Sequence, residues 1–314
     1  KLVAILQNGT DRQKENAAGV FRNLSINPEN RMAIVEAGAI DPLVTLLTDG
    51  TDTQKENAAR ALVSLSINPE NRMAIAKAGA IAPLVKLLTD GTNTQKENAA
   101  GALWNLSVNP ENRVEIVNAG AIKPLVALVM NGSDRQKQNA AGVFINLSIN
   151  PESRVLVVKA GAIDPLVKLL DGTDTQKENA AGALMNLTVN PDNKTAIIEA
   201  RAIDPLVKLL DGTDRQKENA VGVLMNLANT NPVNSMVFVE AGIIKPLVKL
   251  LDGTDTQKEN AAGALMNLTV NPDNKTAIIE ARAIDPLVKL LDGTDRQKEN
   301  AAGALWNLSV NPEN

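Results

Sequence analysis

The side chains that could perform chemistry form a restricted set, because the chain contains no histidine, cysteine or tyrosine. Their absence excludes imidazole acid–base catalysis, thiol nucleophiles, disulfides and metal sites built from thiolates or imidazoles. Aspartate, glutamate, lysine, arginine, serine and threonine remain, but no pattern among them places an activated nucleophile beside a base. We therefore expect a protein that is not an enzyme and that uses no metal or cofactor.

One acidic motif, Asp-Gly-Thr-Asp, recurs along the chain, for example from Asp49 and Asp171. It lacks the further ligands and the bidentate glutamate of a calcium loop, so a turn followed by a helix cap is its expected role. The net charge of −4 argues against a general nucleic-acid or membrane-surface binder. The longest apolar runs, such as 125–130, are far shorter than the roughly 20 residues that span a bilayer.

The most regularly spaced polar side chains are asparagines, which form two rows offset by seven residues. An amide carries both a donor and an acceptor, which suits a peptide bond. Asn98, Gly101 and Asn105 follow i, i+3, i+7 spacing, so both rows lie on one helix face. The later row is Asn23, Asn105, Asn146, Asn186, Asn226, Asn267 and Asn307, interrupted by Ser64. The earlier row is Asn16, Asn57, Asn98, Asn139, Asn179, Asn219, Asn260 and Asn300.

These asparagines belong to a repeat of about 41 residues that fills the chain. The tripeptide Pro-Leu-Val marks it at spacings of 41, 41, 41, 40, 41 and 40 residues. It begins at Pro42, Pro83, Pro124, Pro165, Pro205, Pro246 and Pro286. Residues 165–220 recur letter for letter as residues 246–301, an identity over 56 residues. Such identity indicates recent duplication or deliberate construction.

Each repeat is punctuated as three helices. In the third complete copy, Asn-Pro-Glu-Asn at 109–112 predicts a capped start for a short first helix, which ends near Gly120. A second helix follows from Pro124, and the capping box at 133–136 begins a longer third helix. The third helices carry an apolar stripe that must face a core, as at Ala99, Ala102, Leu103 and Leu106.

This order of helices resembles the armadillo repeat family. The motifs that carry the resemblance are Gly-Ala-Ile-x-Pro-Leu-Val-x-Leu-Leu at 79–88 and Ala-Leu-x-Asn-Leu-Ser at 102–107. The longer stretch at 98–113 is similar to the armadillo domains of plant U-box ubiquitin ligases. The resemblance implies an all-α fold, a right-handed α-solenoid superhelix of about eight three-helix repeats, the first and last incomplete. We expect a single domain over residues 1–314, with repeat boundaries near 28, 69, 110, 151, 191, 232 and 272.

The resemblance also implies a site. In this family the third helices line a concave face, and the later asparagines hold an extended peptide by its backbone. The side chains preceding those asparagines are the expected anchors, above all Trp104, Met185, Met225, Met266 and Trp306. Asn98, Asn139 and Asn179 of the earlier row are further candidates. The alternatives are that the asparagines satisfy or join neighbouring repeats and that the Trp and Met side chains belong to the core.

Several residues depart from the family. Glycine or Arg60 stands where importin-type grooves carry tryptophan, so we do not expect nuclear-import cargo. The helical glycines fit either close packing or room for a ligand backbone, and Arg12, Arg135, Arg215 and Arg296 either favour acidic ligands or form a solvated surface. Arg201 and Arg282 replace a corner glycine, which puts a left-handed turn in doubt. Thr230 lies in a one-residue insertion, where an irregular loop is predicted.

We predict a non-enzymatic protein–protein interaction scaffold that binds an extended protein or peptide segment. The alternatives are head-to-tail self-association through the repeat ends, or a substrate-binding module of a ubiquitin ligase. No nucleic-acid or membrane partner is expected, and the expected compartment is the cytoplasm or nucleus. An engineered origin would account for the identical repeats.

Overall fold

A computed structural model describes residues 1–229 and 235–310, without the side chains of 235 and 236. The described residues form helices and connecting turns, with no strand among them. The chain divides into two compact units, Lys1–Ala162 and Ile163–Asn314. The loop predicted at Thr230 lies outside the described residues.

The first unit contains twelve helices. Along the chain they follow the order second helix, third helix and then the first helix of the next repeat. They are α1 Leu2–Asn8, α2 Asp11–Leu24, α3 Pro28–Glu36, α4 Ile40–Asp49, α5 Asp52–Leu65, α6 Pro69–Lys77, α7 Ile81–Asp90, α8 Asn93–Leu106, α9 Pro110–Asn118, α10 Ile122–Asn131, α11 Asp134–Leu147 and α12 Pro151–Lys159. The third helices α2, α5, α8 and α11 pack side by side in sequence order. Alanine and leucine side chains of these helices, such as Ala99 and Leu103 of α8, are fully buried.

The second unit repeats this order. Its helices are α13 Ile163–Leu169, α14 Asp174–Leu187, α15 Pro191–Glu199, α16 Ile203–Leu209, α17 Asp214–Ala228, α18 Ser235–Glu240, α19 Ile244–Leu250, α20 Asp255–Leu268, α21 Pro272–Glu280, α22 Ile284–Lys289 with a 3₁₀ turn at Leu290–Asp292, and α23 Asp295–Ser309. The third helices α14, α17, α20 and α23 again lie side by side. Here the segment from the start of each second helix to the start of the third helix is one residue shorter, because the threonine at Thr48 and Thr89 has no counterpart.

The predicted helix ends are confirmed. The Asn109 side chain accepts a hydrogen bond from the Glu111 N–H, and Pro110 occupies the first turn of α9. At the start of α11, Ser133 and Gln136 form the reciprocal capping box. These caps satisfy backbone donors that the helices leave without partners.

The left-handed corner turn forms at Arg201 and Arg282, although both residues are arginine and not glycine. Arg201 and Arg282 both adopt φ = 61°, in the left-handed region that Gly120 occupies with φ = 82°. The Arg201 N–H donates to the Ile198 carbonyl at 2.9 Å, as the Gly120 N–H does to Val117. The hydrogen bonds of the turn therefore hold arginine in a conformation that L-residues disfavour by about 1–2 kcal/mol.

Replacing Arg201 with glycine should raise stability by about 0.5–1 kcal/mol, because glycine removes the left-handed strain but gains entropy in the unfolded chain. Denaturant titration followed by circular dichroism measures this shift. As the matched control, Gly161→Ala at φ = 78° should destabilise by a similar amount. Equal midpoints for Arg201→Gly and the wild type would show that the turn carries no strain.

Cationic side chains of the first helices join them to the ends of third helices. Arg113 donates from Nε to the Ser107 carbonyl at 2.9 Å and from Nη2 to the Val108 carbonyl at 2.9 Å. Desolvation by burial lowers the pKa of Arg113, partly offset by nearby Glu111. Lys194 instead donates from Nζ to the Asn229 carbonyl of the following repeat at 3.1 Å, and burial lowers its pKa. Both cations donate hydrogen bonds to carbonyls at a helix C-terminus, where a positive charge is favourable.

Candidate functional site

Within each unit, asparagines of the later row join a third helix to the one before it. Asn105 donates from Nδ2 to the Val63 carbonyl at 3.0 Å and to Ser66 Oγ at 3.2 Å. Asn146 makes the same pair of bonds one repeat further along. In the second unit, the donors are Asn226 to Thr188 Oγ1, Asn267 to the Met225 carbonyl, and Asn307 to the Met266 carbonyl and Thr269 Oγ1. The interpretation that these amides join repeats therefore holds for their donor atoms.

The amide oxygen atoms of this row, unlike the nitrogen atoms, mostly take no part in the bonds between repeats. The hydrogen bonds of Asn105, Asn146, Asn267 and Asn307 within the described structure all use Nδ2. Their Oδ1 atoms are left to accept from a ligand. Asn23, in the first third helix, is exposed, and its Oδ1 accepts from Arg22 Nε at 3.3 Å. Asn186 occupies the same position of α14 and is half-buried. Peptide binding by this row stays a prediction.

The earlier row lies deeper. Asn98 is only 4% exposed and donates from Nδ2 to the Glu56 carbonyl at 3.5 Å. Asn139 donates to the Glu97 carbonyl at 3.0 Å and is half-buried, while Asn179 is 3% exposed. Asn98 and Asn139 therefore have a role between repeats, and little surface of the three amides is left to a ligand, so their contact with a peptide also stays a prediction.

The helical glycines leave space in which the predicted anchor side chains of the preceding repeat pack. Trp104 of α8 is half-buried against Gly142 of α11, where a Cβ atom would lie 2.4 Å from the indole Cδ2. In the second unit, Cβ atoms would lie within 3 Å of the sulfur in three equivalent pairs, Gly222 with Met185, Gly263 with Met225 and Gly303 with Met266. Close packing, rather than ligand backbone, fills these positions. Trp306 differs, since it is 71% exposed.

A row of glutamates that was not predicted from the sequence precedes the earlier asparagines. Glu97 Oε1 lies 3.5 Å from Arg135 Nε, and Glu259 Oε1 lies 2.8 Å from Arg296 Nη1. Glu178 accepts from Thr213 Oγ1 at 2.9 Å. The repeated Glu-Asn dipeptide was the available signal. These contacts pair two of the candidate arginines with carboxylates, which weakens the interpretation of an acidic-ligand preference.

In the first unit these groups surround a depression of about 240 Å³ that crosses the four third helices. Its lining is Arg22, Glu56, Arg60, Thr94, Glu97, Asn98 and Arg135. Arg22 reaches across from α2 and donates to Asn57 Oδ1 at 3.0 Å. The depression therefore presents both charge signs to a ligand.

The described residues contain no group of three or more Asp or Glu side chains arranged to hold a metal ion. Within the same ranges, no single helix is long and apolar enough to cross a membrane. The consecutive helices α9 and α10, bent by 86°, pass that test together by length and composition alone.

Two protein-family models match this chain. The family described as the plant U-box protein ARM repeat region matches residues 1–178. The chain belongs to the armadillo repeat family. The armadillo/beta-catenin-like repeat also matches residues 190–229 and 271–310. The stacked helices described above are therefore those of an armadillo α-solenoid. No curated protein matches the chain.

Three similar solved structures are engineered armadillo-like proteins. An engineered protein from the Northeast Structural Genomics Consortium has a TM-score of 0.88 at 35% identity, covering 98% of this chain and 78% of the other. A computationally designed armadillo repeat protein for modular peptide recognition has a TM-score of 0.67 at 33% identity, covering 73% and 99%. A designed armadillo repeat protein crystallised with the peptide (KR)4 has a TM-score of 0.64 at 30% identity, covering 73% and 99%.

Proposed function

We propose that this armadillo protein is a non-enzymatic scaffold that binds an extended peptide segment across its third helices. The observation that carries the proposal is that neighbouring third helices of a unit present open amide Oδ1 atoms at the same position, as Asn105 and Asn146 do. An extended peptide presents backbone N–H donors at regular spacing, which matches a row of acceptors. The similarity to designed proteins for peptide recognition supports the same function.

The asparagines alone supply too little affinity. A net hydrogen bond contributes about 0.5–1.5 kcal/mol, whereas fixing one peptide residue costs about 1–2 kcal/mol. Side-chain anchors must supply the rest. Trp104 stands beside Asn105 and keeps part of its indole exposed, so it offers apolar contact next to the amide. The depression lined by Glu56, Glu97 and Arg135 supplies charged contacts of both signs.

The test is a displayed random-peptide selection at near-physiological salt on the wild type and on Asn105→Ser/Asn146→Ser. Serine is the residue that Ser64 places at this position, so the change is compatible with the fold. We expect enriched peptides whose binding to the double variant is about 10- to 100-fold weaker, because two backbone contacts are lost.

The matched control is Asn112→Ser in α9. Asn112 is 2% exposed and donates from Nδ2 to the Leu106 carbonyl at 3.0 Å, and Ser153 occupies the equivalent site of α12. This variant loses a comparable hydrogen bond outside the row and should bind the peptides like the wild type. Peptides that bind all three proteins equally would contradict a role for the asparagine row.

Two other functions stay predictions. Head-to-tail self-association would place the 71% exposed indole of Trp306 against a second copy of the chain, as Trp104 lies against Gly142. Light scattering that gives a monomeric mass at high protein concentration would exclude it. A role as the substrate-binding module of a ubiquitin ligase is supported by the match to the plant U-box ARM region, and a pull-down that recovers no ubiquitin-ligase component would count against it.

A further inference from the structure

Two equivalent cavities lie between consecutive second helices of the first unit, away from the asparagine rows. The first has a volume of about 290 Å³ and the second about 460 Å³. The first is lined by Leu47, Thr48, Asp52, Lys55, Ala82, Pro83, Lys86, Leu87, Asp90 and Gln95. The second is lined by Leu88, Thr89, Asn93, Lys96, Lys123, Pro124, Ala127, Leu128, Asn131, Gly132 and Gln136. Apart from Gly132, each lining residue of the second cavity lies 41 positions after a lining residue of the first cavity. The two cavities therefore occupy the same place in successive repeats and differ only in some of their side chains.

The second cavity has lost its carboxylates. Asp52 and Asp90 of the first cavity correspond to Asn93 and Asn131 of the second. The first cavity has two aspartates against two lysines and is formally neutral. The second has Lys96 and Lys123 and no acidic residue in its lining, so its formal charge is +2.

These two lysines also lack nearby carboxylate partners. In other repeats, the equivalent lysine pairs with the aspartate three residues earlier, as Lys177 does with Asp174 at 3.6 Å and Lys217 with Asp214 at 3.7 Å. Lys96 has Asn93 in that place. Within the described ranges, neither Lys96 nor Lys123 forms an ion pair. Both ammonium groups are therefore available to a ligand.

The rest of the lining is mainly apolar, with Leu88, Pro124, Ala127 and Leu128 beside the polar side chains of Thr89, Asn93, Asn131 and Gln136. Its volume falls within the range of about 300–1,000 Å³ that is typical of small-molecule sites. Apolar walls with a few convergent charges bind molecules that carry the opposite charge on an apolar body.

We propose that this cavity binds a small organic anion, a phosphate or carboxylate attached to an aromatic or aliphatic group. The anionic group lies between the ammonium groups of Lys96 and Lys123, and the apolar group contacts Leu88 and Leu128. This site shares no residue with the asparagine rows and does not depend on peptide binding.

The experiment is a calorimetric titration of the full chain with phenyl phosphate at low salt, with inorganic phosphate and benzyl alcohol as separate probes. We expect saturable binding of phenyl phosphate with 1:1 stoichiometry. Inorganic phosphate should bind at least about fivefold more weakly because it lacks the apolar group, and benzyl alcohol should bind at least as weakly because it lacks the charge.

The decisive variant is Asn93→Asp/Asn131→Asp, which restores the carboxylates that the neighbouring cavity carries. The fold tolerates aspartate at both positions in other repeats, and an unchanged thermal melt checks this. Binding of phenyl phosphate should weaken at least about tenfold, because like charges across an interface oppose binding. Undiminished binding by this variant, no saturable binding by the wild type, or equal affinity for inorganic phosphate would overturn the proposal.

Discussion

Replacing Gly142 with alanine should destabilise the protein by up to about 2 kcal/mol, even though alanine is the better helix former by about 1 kcal/mol. The added Cβ would lie 2.4 Å from the Trp104 indole, so the ring or the helix must move. Overpacking of this kind costs about 1–3 kcal/mol. Denaturant titration of the purified variant measures the net loss.

The same substitution should have the opposite sign where no bulky side chain lies on the glycine. At Gly19 the nearest atom to an added Cβ is Asn57 Nδ2 at 3.6 Å, an ordinary contact. Gly19→Ala should therefore stabilise by up to about 1 kcal/mol. In a Trp104→Val background, which copies Val63 of the preceding repeat, Gly142→Ala should also become stabilising. A destabilising effect that persists in that background would show that the indole is not its cause.

Gln95→Ala should cost about 1–2.5 kcal/mol, a large loss for one polar side chain. Gln95 is 2% exposed. Its Oε1 accepts from the Thr92 N–H at 3.1 Å, and its Nε2 donates to the Asp52 carbonyl of the preceding repeat at 3.0 Å. Thr92 and Asp52 are exposed residues, so the loss is that of the cap, about 0.5–1 kcal/mol, and of the net hydrogen bond between repeats, about 0.5–1.5 kcal/mol.

Gln13 distinguishes the contribution of the helix cap from that of the hydrogen bond between repeats. It forms the same capping box with Thr10 but is exposed, and it has no preceding third helix to bond in this chain. Gln13→Ala should cost only about 0.5–1 kcal/mol, as loss of a cap does. Thermal melts of both variants test the difference. Equal losses would show that the bond between repeats contributes nothing to stability.

The sequence was sufficient for the helices and their order because the determining signals are local. The cap at Asn109, the capping box at Ser133 and the corner at Gly120 each act within one turn of chain. The corner at Arg201 was harder to predict, because the hydrogen bonds of the turn outweigh the residue's own preference. Local propensity is a weaker influence than the surrounding structure at such a position.

The site was less predictable because its contacts join residues about 41 positions apart. The spacing places Asn105 on a helix face but does not give the partner of each amide atom, which is the Val63 carbonyl for Nδ2. The glycines illustrate the same limit. Gly142 and Gly19 are equivalent in sequence, yet only Gly142 receives an indole, since the residue that fills the space belongs to another repeat.

The central claim is that the Oδ1 atoms of the later asparagines accept hydrogen bonds from a peptide backbone. The most direct measurement replaces single amides of a selected peptide with esters, which removes one N–H donor at a time, and determines Kd for the wild type and for Asn105→Ser. We predict that one ester position weakens wild-type binding about 2- to 10-fold and has no further effect on Asn105→Ser. Esters that leave wild-type affinity unchanged at every position, or weaken both proteins equally, would contradict the claim.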